Sequence, residues 1–358
     1  MKRIFSLLFI VLSAASCQTT YPEIEDDPTK TGSYAQNALV LNSGNWNSND
    51  ASLTRYTFTT KLAEADVFKT TNGVNLGDLA EDIIIFGSKA YISVSNSGVI
   101  FVIDKYSCKV TGKIAASLDG GSSLSPRRFT TCGKDVFVSY YEGFVGQIDT
   151  TSLQVKKLIS VGSNPEGIAA SNGKIYVANS GGLSYPNYGK TVSVIDFATL
   201  NVINSIEVVE NPMEVVSDPE GEIYVISYGN YSDVPSKLQR IDPSSGEVTP
   251  VESVSNPMKM SVGYQGVLAI VTSDGKILRY DTSSSSESLL GDFVIDGAVV
   301  NNAYSVSADP VSGYVLVGCS DYVSTGKVYV FSKEGTTYDS FSSGGLNPQK
   351  VAFNSLTE

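Results

Sequence analysis

The 358-residue sequence contains no histidine, one tryptophan and four cysteines. Without histidine the chain lacks Ser-His-Asp and Cys-His catalytic groups, histidine-bearing zinc or copper sites and the commonest general base. No GxxxxGK[ST] phosphate loop and no helix-opening GxGxxG motif is present. We therefore expect no enzyme: no catalytic residues, no cofactor and no metal site.

Basic residues are also scarce. Lysine and arginine number 25 against 37 aspartates and glutamates, for a net charge of -12, and no basic cluster follows the first residues. A nucleic-acid partner is disfavoured, because binding it needs a basic surface that displaces counterions.

Three cysteines, Cys108, Cys132 and Cys319, remain when the one nearest the N-terminus is set apart. Their odd number cannot make a complete disulfide framework, and no CxxC pair suggests zinc. Each lies in an apolar or strand-like segment, so we expect each to be buried as a small hydrophobe.

The N-terminus is typical of a lipoprotein export signal. Lys2 and Arg3 precede an apolar stretch, residues 4–15, that is too short to span a bilayer. The small residues that follow end at Cys17, the position at which a lipoprotein is acylated. The alternative is an ordinary signal peptide with a chance cysteine. We predict a signal peptide over residues 1–16 and an anchor at Cys17, held in a membrane by two or three acyl chains.

Residues 17–34 then predict a flexible acidic tether, with prolines, the acidic run 23–27 and few apolar residues to bury. The remaining chain, 35–358, is long for a single core, but repeat folds stay single domains at this length.

A repeat of about 40–46 residues is the strongest signal in the sequence, and it matches the blade length of β-propellers. Each copy begins with Asn-Pro or a similar turn, continues through two apolar strands and a variable loop, and reaches a strand that ends in Ile-Asp or a relative. Six full copies are present; the third reads NPEGIAA-SNGKIYVANS-(loop)-KTVSVID-FATLNVINSIEV.

The two ends complete a seventh copy. NPQKVAF (347–353) reads as an innermost strand, and residues 38–68 read as three outer strands. Pairing them closes a ring without free sheet edges. We predict an all-β, seven-bladed propeller in one domain; a lipocalin-like barrel or a sandwich would not have split ends.

We number the four strands of a blade outward from the axis. Because these strands alternate in direction, the hairpins between strands one and two and between strands three and four lie on one face of the ring. The loops between strands two and three (the two-to-three loops) and the connections between blades lie on the other face. The two-to-three loops carry tyrosines and the single tryptophan, whose apolar area and polar tips suit recognition. The alternative is that these side chains only pack over their own loops. The predicted ligand-binding residues are Asn45, Trp46, Tyr140, Tyr141, Tyr185, Asn187, Tyr188, Tyr228, Tyr231 and Tyr322. Asparagines of the inter-blade connections, such as Asn164 and Asn256, join this surface.

Carboxylates allow two interpretations. The first places some of them at the axis, where a pair would serve acid–base chemistry or bind Ca²⁺; these are Glu142, Glu166, Glu214, Asp233 and Asp321. The aspartates that end the third strand of successive blades are expected to cap turns instead; these are Asp104, Asp149, Asp196, Asp242 and Asp281.

Several segments carry a family resemblance. NPEGIAASNGKIYVANSG and KTVSVIDFATLNVINSIEV resemble YncE-type propellers of bacterial envelopes. LVLNSGNWNSNDASLTRYTF, VNLGDLAEDIII and YSVSADPVSGYVLVGCSDYVSTGKVYVFSKEG are similar to a Bacteroidetes branch of surface-layer or DUF5074 lipoproteins, which includes the BtuG-type cobalamin-binding propellers.

This resemblance implies a lipid-anchored protein at the outer-membrane surface that captures vitamin B12 or a related corrinoid for a TonB-dependent transporter. Without histidine, cobalt coordination by an imidazole is excluded, so binding would depend on packing against the corrin and on amide hydrogen bonds. Two alternatives stay open. The same face could hold an envelope protein or a glycan, or the chain could be a metal-dependent propeller lyase or lactonase with Asp, Glu and Asn ligands.

Overall fold

The computed structural model describes residues 34–118 and 121–356. The predicted signal peptide, Cys17 and nearly all of the predicted tether lie outside the described residues. Within the described chain, 28 strands form seven four-stranded antiparallel sheets arranged as the blades of a propeller. The predicted all-β, seven-bladed fold is confirmed.

Six blades are continuous segments of the chain, each running from the innermost strand to the outermost. Blade 2 contains β4 (Ala80–Phe86), β5 (Lys89–Val94), β6 (Val99–Asp104) and β7 (Val110–Ile114). Blade 3 contains β8 (Pro126–Cys132), β9 (Asp135–Tyr140), β10 (Phe144–Asp149) and β11 (Gln154–Ser160). Blade 4 contains β12 (Pro165–Ser171), β13 (Lys174–Asn179), β14 (Thr191–Asp196) and β15 (Asn201–Glu207).

The remaining continuous blades follow the same order. Blade 5 contains β16 (Pro212–Ser217), β17 (Ile223–Ser227), β18 (Lys237–Ile241) and β19 (Val248–Pro250). Blade 6 contains β20 (Pro257–Val262), β21 (Leu268–Thr272), β22 (Ile277–Asp281) and β23 (Ser288–Asp292). Blade 7 contains β24 (Ala303–Ala308), β25 (Val315–Cys319), β26 (Lys327–Phe331) and β27 (Thr337–Ser342).

Blade 1 joins the two ends of the chain, as the split repeat predicts. Its outer strands are β1 (Tyr34–Asn42), β2 (Ser52–Thr57) and β3 (Leu62–Glu64), and its innermost strand is β28 (Pro348–Leu356). β28 pairs antiparallel with β1 along its length, for example Val351 with Val40. Residues 67–68, which the repeat placed in the last strand, begin a short helix instead, α1 (Val67–Asn72).

The core lies between the blades. Strand side chains point alternately to the two neighbouring blades, so Ile175 and Val177 face blade 3 whereas Tyr176 faces blade 5. Among the described residues the buried apolar side chains form seven clusters, one between each pair of neighbours. Each blade is therefore stable only between two others.

The three cysteines within the described residues, Cys108, Cys132 and Cys319, are buried, as expected. Cys108 and Cys319 are free thiols, and burial raises the pKa of each to about 11. Cys132 packs in the cluster between blades 3 and 4.

The aspartates at the ends of the third strands cap turns, as expected. Asp149, for example, accepts the backbone N–H groups of Thr151 and Ser152, and these bonds lower its pKa to about 2. Equivalent bonds reach Asp104, Asp196, Asp242 and Asp281.

The antiparallel order assigns the loops to two faces. We call the face with the two-to-three loops and most inter-blade connections the loop face, and the opposite one the turn face. One connection departs from the expectation. Residues 293–302, between blades 6 and 7, descend the outer edge until Ile295 donates to the carbonyl of Gly335, a residue of the turn face.

An aromatic cluster stabilises the joint between blades 7 and 1. The Tyr56 ring stacks on Phe341 at 4.4 Å, and Phe58 stacks on Tyr314 at 4.5 Å. The Tyr56 hydroxyl donates to Asp339 at 2.7 Å. These contacts add to the strand pairing that closes the ring.

We expect Phe58→Ala to lower the free energy of unfolding by about 3 kcal/mol, because it removes a fully buried ring from this joint. Leu62→Ala is the control, since Leu62 lies in the same blade but is 56% exposed; its effect should stay below about 0.5 kcal/mol. Urea denaturation measures both. Equal effects of the two changes would contradict the role of the joint.

Candidate functional site

Neighbouring loops of the loop face are joined by asparagines that directly precede innermost strands. Asn347 donates to the carbonyl of Gly44 at 2.9 Å and accepts from the Ser320 hydroxyl at 2.5 Å, which joins the loops of blades 1 and 7. Asn164 likewise donates to the carbonyl of Tyr141 and accepts from the N–H of Leu183, joining blades 3 and 4.

These asparagines have left-handed backbone conformations, with φ of 57° at Asn347 and 48° at Asn164, which asparagine tolerates better than most residues. Asn211, Asn256 and Asn302 share this conformation. Asn211 and Asn347 are buried, and the amide of Asn164 is bonded to two loops, so these three residues build the rim and do not offer their amides to a ligand. Asn256 and Asn302 are exposed.

Three of the predicted tyrosines form one exposed group across blades 4 and 5. Tyr188 lies edge-to-face between Tyr185 and Tyr231, with ring centres 6.0 Å apart in both pairs. Tyr185 is 73% exposed and Tyr231 67%. The two outer rings therefore present apolar area that no described residue covers.

A second aromatic group lies across blades 7 and 1. Tyr322 is 60% exposed and packs edge-to-face on Tyr304 at 5.6 Å. Trp46 is 68% exposed, on the blade 1 loop that Asn347 joins to the blade 7 loop. With seven blades in the ring, blades 4 and 5 lie nearly opposite blades 7 and 1. The two aromatic groups thus face each other across the axis.

Tyr141 and Tyr228 lie nearer the axis, above charged side chains. The Tyr141 ring is 5.1 Å from the guanidinium of Arg127, and the Tyr228 ring is 5.9 Å from the ammonium of Lys259. The Tyr228 hydroxyl donates to the carbonyl of Met258 at 2.9 Å. Both rings are half-buried and line the loop-face end of the channel.

Below them an ionic network surrounds the axis. Arg127 donates to both Glu166 oxygens, at 3.0 and 2.7 Å, and also to the Glu81 carboxylate. Lys259 donates to Glu214 at 2.6 Å. Four carboxylates (Glu81, Asp82, Glu166, Glu214) and three cations (Arg127, Arg128, Lys259) lie at the loop-face ends of the described innermost strands. Lys350, on β28, borders this network, and its charge acts on the carboxylates of Asp82 and Glu214.

A recurring irregularity in the strands directs these side chains to the axis. Each innermost strand has a register shift near its start, for example between Ala80 and Asp82 in β4 and between Pro165 and Ile168 in β12. Such bulges change the direction of a side chain, here Glu81 and Glu166. The repeat in the sequence gives the position of each strand but not this local shift.

At two carboxylates of the network, nearby positive charges lower the pKa by more than burial raises it. Burial alone would raise the pKa of Glu214, but Lys259 and Arg128 together lower it below its ordinary value of 4.5. Glu81 follows the same rule, with Arg127 and Arg128 as the main opposing charges. Both carboxylates are therefore ionised at neutral pH and act as fixed partners of the cations.

Some predicted residues do not serve the surface. Tyr140 was wrongly placed in a loop: it ends β9, is 1% exposed and packs between blades 2 and 3. Asn45 is half-buried and accepts a hydrogen bond from the Asn347 amide at 3.2 Å, so it belongs to the rim.

Asn187, by contrast, is exposed beside the tyrosine group, as predicted for a surface residue.

Of the carboxylates considered for the axis, only Glu166 and Glu214 lie there. Glu142 accepts the N–H of Ser125, Asp233 accepts from the Asn230 amide, and Asp321 caps its own loop. Across residues 34–118 and 121–356, no three His, Cys, Asp or Glu residues are grouped so as to hold a metal ion.

The sequence prediction missed two aliphatic residues of the loop face. Leu183 is 77% exposed beside Tyr185, and Val323 is 81% exposed beside Tyr322. Their position within the variable loops was the available signal, but the prediction selected aromatic side chains only.

Comparison with known families identifies the chain. The model of a family described as a domain of unknown function, DUF5074, matches residues 36–335. The chain is a member of the DUF5074 family. No curated protein matches this DUF5074 protein in sequence.

Among solved structures, this DUF5074 protein is similar to hydrazine synthase of Kuenenia stuttgartiensis, with a TM-score of 0.57 and 20% identity. The match covers 70% of this chain and 76% of the other. At this identity the likeness concerns the fold alone. The described part of the chain contains no helix with the length and hydrophobicity of a membrane span.

Breaking the Glu214–Lys259 pair should destabilise this DUF5074 protein. We expect Glu214→Gln to lower the free energy of unfolding at pH 7 by about 3 kcal/mol, because it leaves a buried ammonium without its carboxylate. Because Glu214 has a lowered pKa, its contribution is complete above pH 4.5 and is lost as the pH falls through its folded value. The difference from the unmodified protein should therefore shrink in acid.

The control is Glu252→Gln, which breaks the exposed Lys237–Glu252 pair of 2.7 Å. Its effect should stay below about 1 kcal/mol and vary little with pH. Thermal and urea denaturation between pH 3 and 7 measure both variants. A Glu214→Gln effect as small as the control would contradict the role of the network.

Proposed function

We propose that this DUF5074 protein is a lipid-anchored surface protein that captures cobalamin or a related corrinoid on its loop face and delivers it to a TonB-dependent outer-membrane transporter. The observation that carries the proposal is the pair of exposed aromatic groups on opposite sides of a rim fixed by buried asparagines. The proposed role is binding, with no catalytic step.

The arrangement favours a broad ligand. Tyr185 and Tyr231 on one side and Trp46 and Tyr322 on the other are separated by the axis, so a small molecule would contact only one group. A corrinoid is a wide macrocycle with apolar surfaces and an edge of amide groups. Exposed aromatic rings can pack against the apolar surfaces, and tyrosine hydroxyls and the Asn187 amide can form hydrogen bonds with the amide edge. No histidine is required for this mode of binding.

A fixed rim also favours affinity. Ordering flexible loops on binding costs about 0.5–1.5 kcal/mol per immobilised side chain. The bonds from Asn164 and Asn347 already order the loops that carry Leu183 and Trp46. The resemblance of the sequence to BtuG-type propellers supports a corrinoid as the class of ligand.

Isothermal titration with cyanocobalamin tests the proposal. We expect Trp46→Ala and Tyr231→Ala each to weaken binding by up to about 2 kcal/mol, because both rings are largely exposed anchors. The only side-chain hydrogen bond that Tyr231→Ala removes among the described residues is the long one of 3.4 Å from the Asn211 amide. Leu290→Ala is the control, since Leu290 is 49% exposed on an outer strand away from the rim. Both rim variants should keep their thermal midpoints.

The absence of binding heat and of a thermal shift at micromolar cyanocobalamin would contradict the corrinoid proposal and favour the envelope protein or glycan alternative. If Trp46→Ala and Tyr231→Ala lowered the thermal midpoint as much as they weakened binding, these rings would be packing residues instead.

The anchor is tested separately. We expect Cys17→Ala to remove the protein from the outer-membrane fraction, because the acyl chains attach to this thiol. Fractionation and protease treatment of intact cells, with Cys319→Ala as the matched cysteine control, measure it. Membrane association that persists without Cys17 would contradict a lipid anchor.

A further inference from the structure

A cavity of about 700 Å³ surrounds the axis on the turn face, opposite the proposed corrinoid site. It begins where the ionic network ends, and the turn-face halves of the innermost strands line it in every blade except blade 3. Its volume falls within the range of small-molecule pockets, about 300–1,000 Å³.

The carboxylates that line this cavity accept hydrogen bonds from the protein itself. Asp309 accepts the N–H groups of Val311 and Ser312. Asp218 accepts those of Gly221 and Glu222 through Oδ1, while its Oδ2 has no hydrogen-bond partner among the described residues. Glu220 accepts the N–H of Ser284 at 3.2 Å. Lining hydroxyls are occupied as well, since Ser171 donates to the carbonyl of Gly221 in the next blade.

The two lining cations differ from these acids. Lys105, in the turn after β6, is 5% exposed, and Lys350, on β28, is half-buried. Neither ammonium donates a hydrogen bond to a described residue or forms an ion pair within 4.0 Å. The Lys105 ammonium lies 5.0 Å from the Tyr106 ring centre and acts on Asp104 only at longer range, and the Lys350 ammonium acts on Asp82 and Glu214 in the same way. A buried ammonium without a hydrogen-bond acceptor is costly, so an acceptor placed in this cavity would stabilise Lys105 above all.

The rest of the lining adds apolar area and an unsatisfied side-chain amide. Ile83, Val262 and Phe353 contribute apolar side chains. Asn354 lines the cavity at 1% exposure, and neither its Oδ1 nor its Nδ2 has a hydrogen-bond partner. Buried amides are normally bonded, so this residue also lacks a partner that a ligand or water would supply.

We propose that the turn-face cavity is a second binding site, for a small apolar molecule that carries an acidic group, with Lys105 and Lys350 as the partners of that group. The proposal concerns the opposite face from the corrinoid site and does not depend on it.

Two fluorescent probes with the same skeleton test the site: 1-anilinonaphthalene-8-sulfonate, which is anionic, and the neutral N-phenyl-1-naphthylamine. We expect the sulfonate to bind with one-site stoichiometry, and decanoate but not decanol to displace it. Lys105→Met and Lys350→Met should each weaken sulfonate binding about tenfold and change binding of the neutral probe less than about twofold.

Lys134→Met is the matched control, because Lys134 is an exposed lysine on the turn face of blade 3, outside the cavity. It should leave both probes unaffected, and Lys105→Arg, which keeps the charge, should retain most of the sulfonate affinity. Thermal midpoints confirm that each variant is folded. Unchanged sulfonate binding in both Met variants, or equal weakening by Lys134→Met, would overturn the proposal.

Discussion

Closure of the ring is the constraint on which the rest of this protein depends. No blade buries both of its faces alone, because the apolar clusters lie between neighbours and not within a sheet. The pairing of β28 with β1 completes the last interface, and the aromatic cluster around Phe58 and Tyr314 fills it. The same stretch of chain also builds the candidate site. Asn347 directly precedes β28 and joins the loops that carry Trp46 and Tyr322.

Charge and apolar area are separated along the axis. At the loop-face end, carboxylates and cations pair with one another, so the network fixes the innermost strands without attracting a ligand of either sign. The exposed groups beyond it are mainly aromatic and aliphatic. At the turn-face end Asp309 and Asp218 accept backbone N–H groups, whereas the ammonium groups of Lys105 and Lys350 have no hydrogen-bond acceptor among the described residues. One scaffold therefore presents two surfaces of different chemistry.

The repeat predicted most of the fold because it recurs with period-two alternation and fixed turn residues. Asn-Pro marked the start of innermost strands, and Ile-Asp marked the capped turns that follow third strands. The repeat did not predict the direction in which side chains point at the ends of strands. Tyr140 and Tyr141 are adjacent in sequence, yet the first is in the core and the second faces Arg127, because successive residues of a strand point to opposite sides.

Other features depend on contacts between distant residues. The bulges that direct Glu81 and Glu166 to the axis leave no composition signal, and the descent of residues 293–302 depends on a bond to Gly335. Asparagines at the ends of connections suggested a ligand surface, but Asn164 and Asn347 bond to neighbouring loops and are part of the rim, whereas Asn256 stays exposed. The unpaired state of Lys105 likewise appears only when six blades are brought around one axis.

Amide hydrogen exchange with and without saturating cyanocobalamin tests most directly the claim that the loop face is the binding surface. The account predicts protection in the loops of blades 1, 4, 5 and 7, around Trp46, Tyr185, Tyr231 and Tyr322, with exchange in the turns of the opposite face unchanged. Protection confined to those turns, or none on either face, would contradict it.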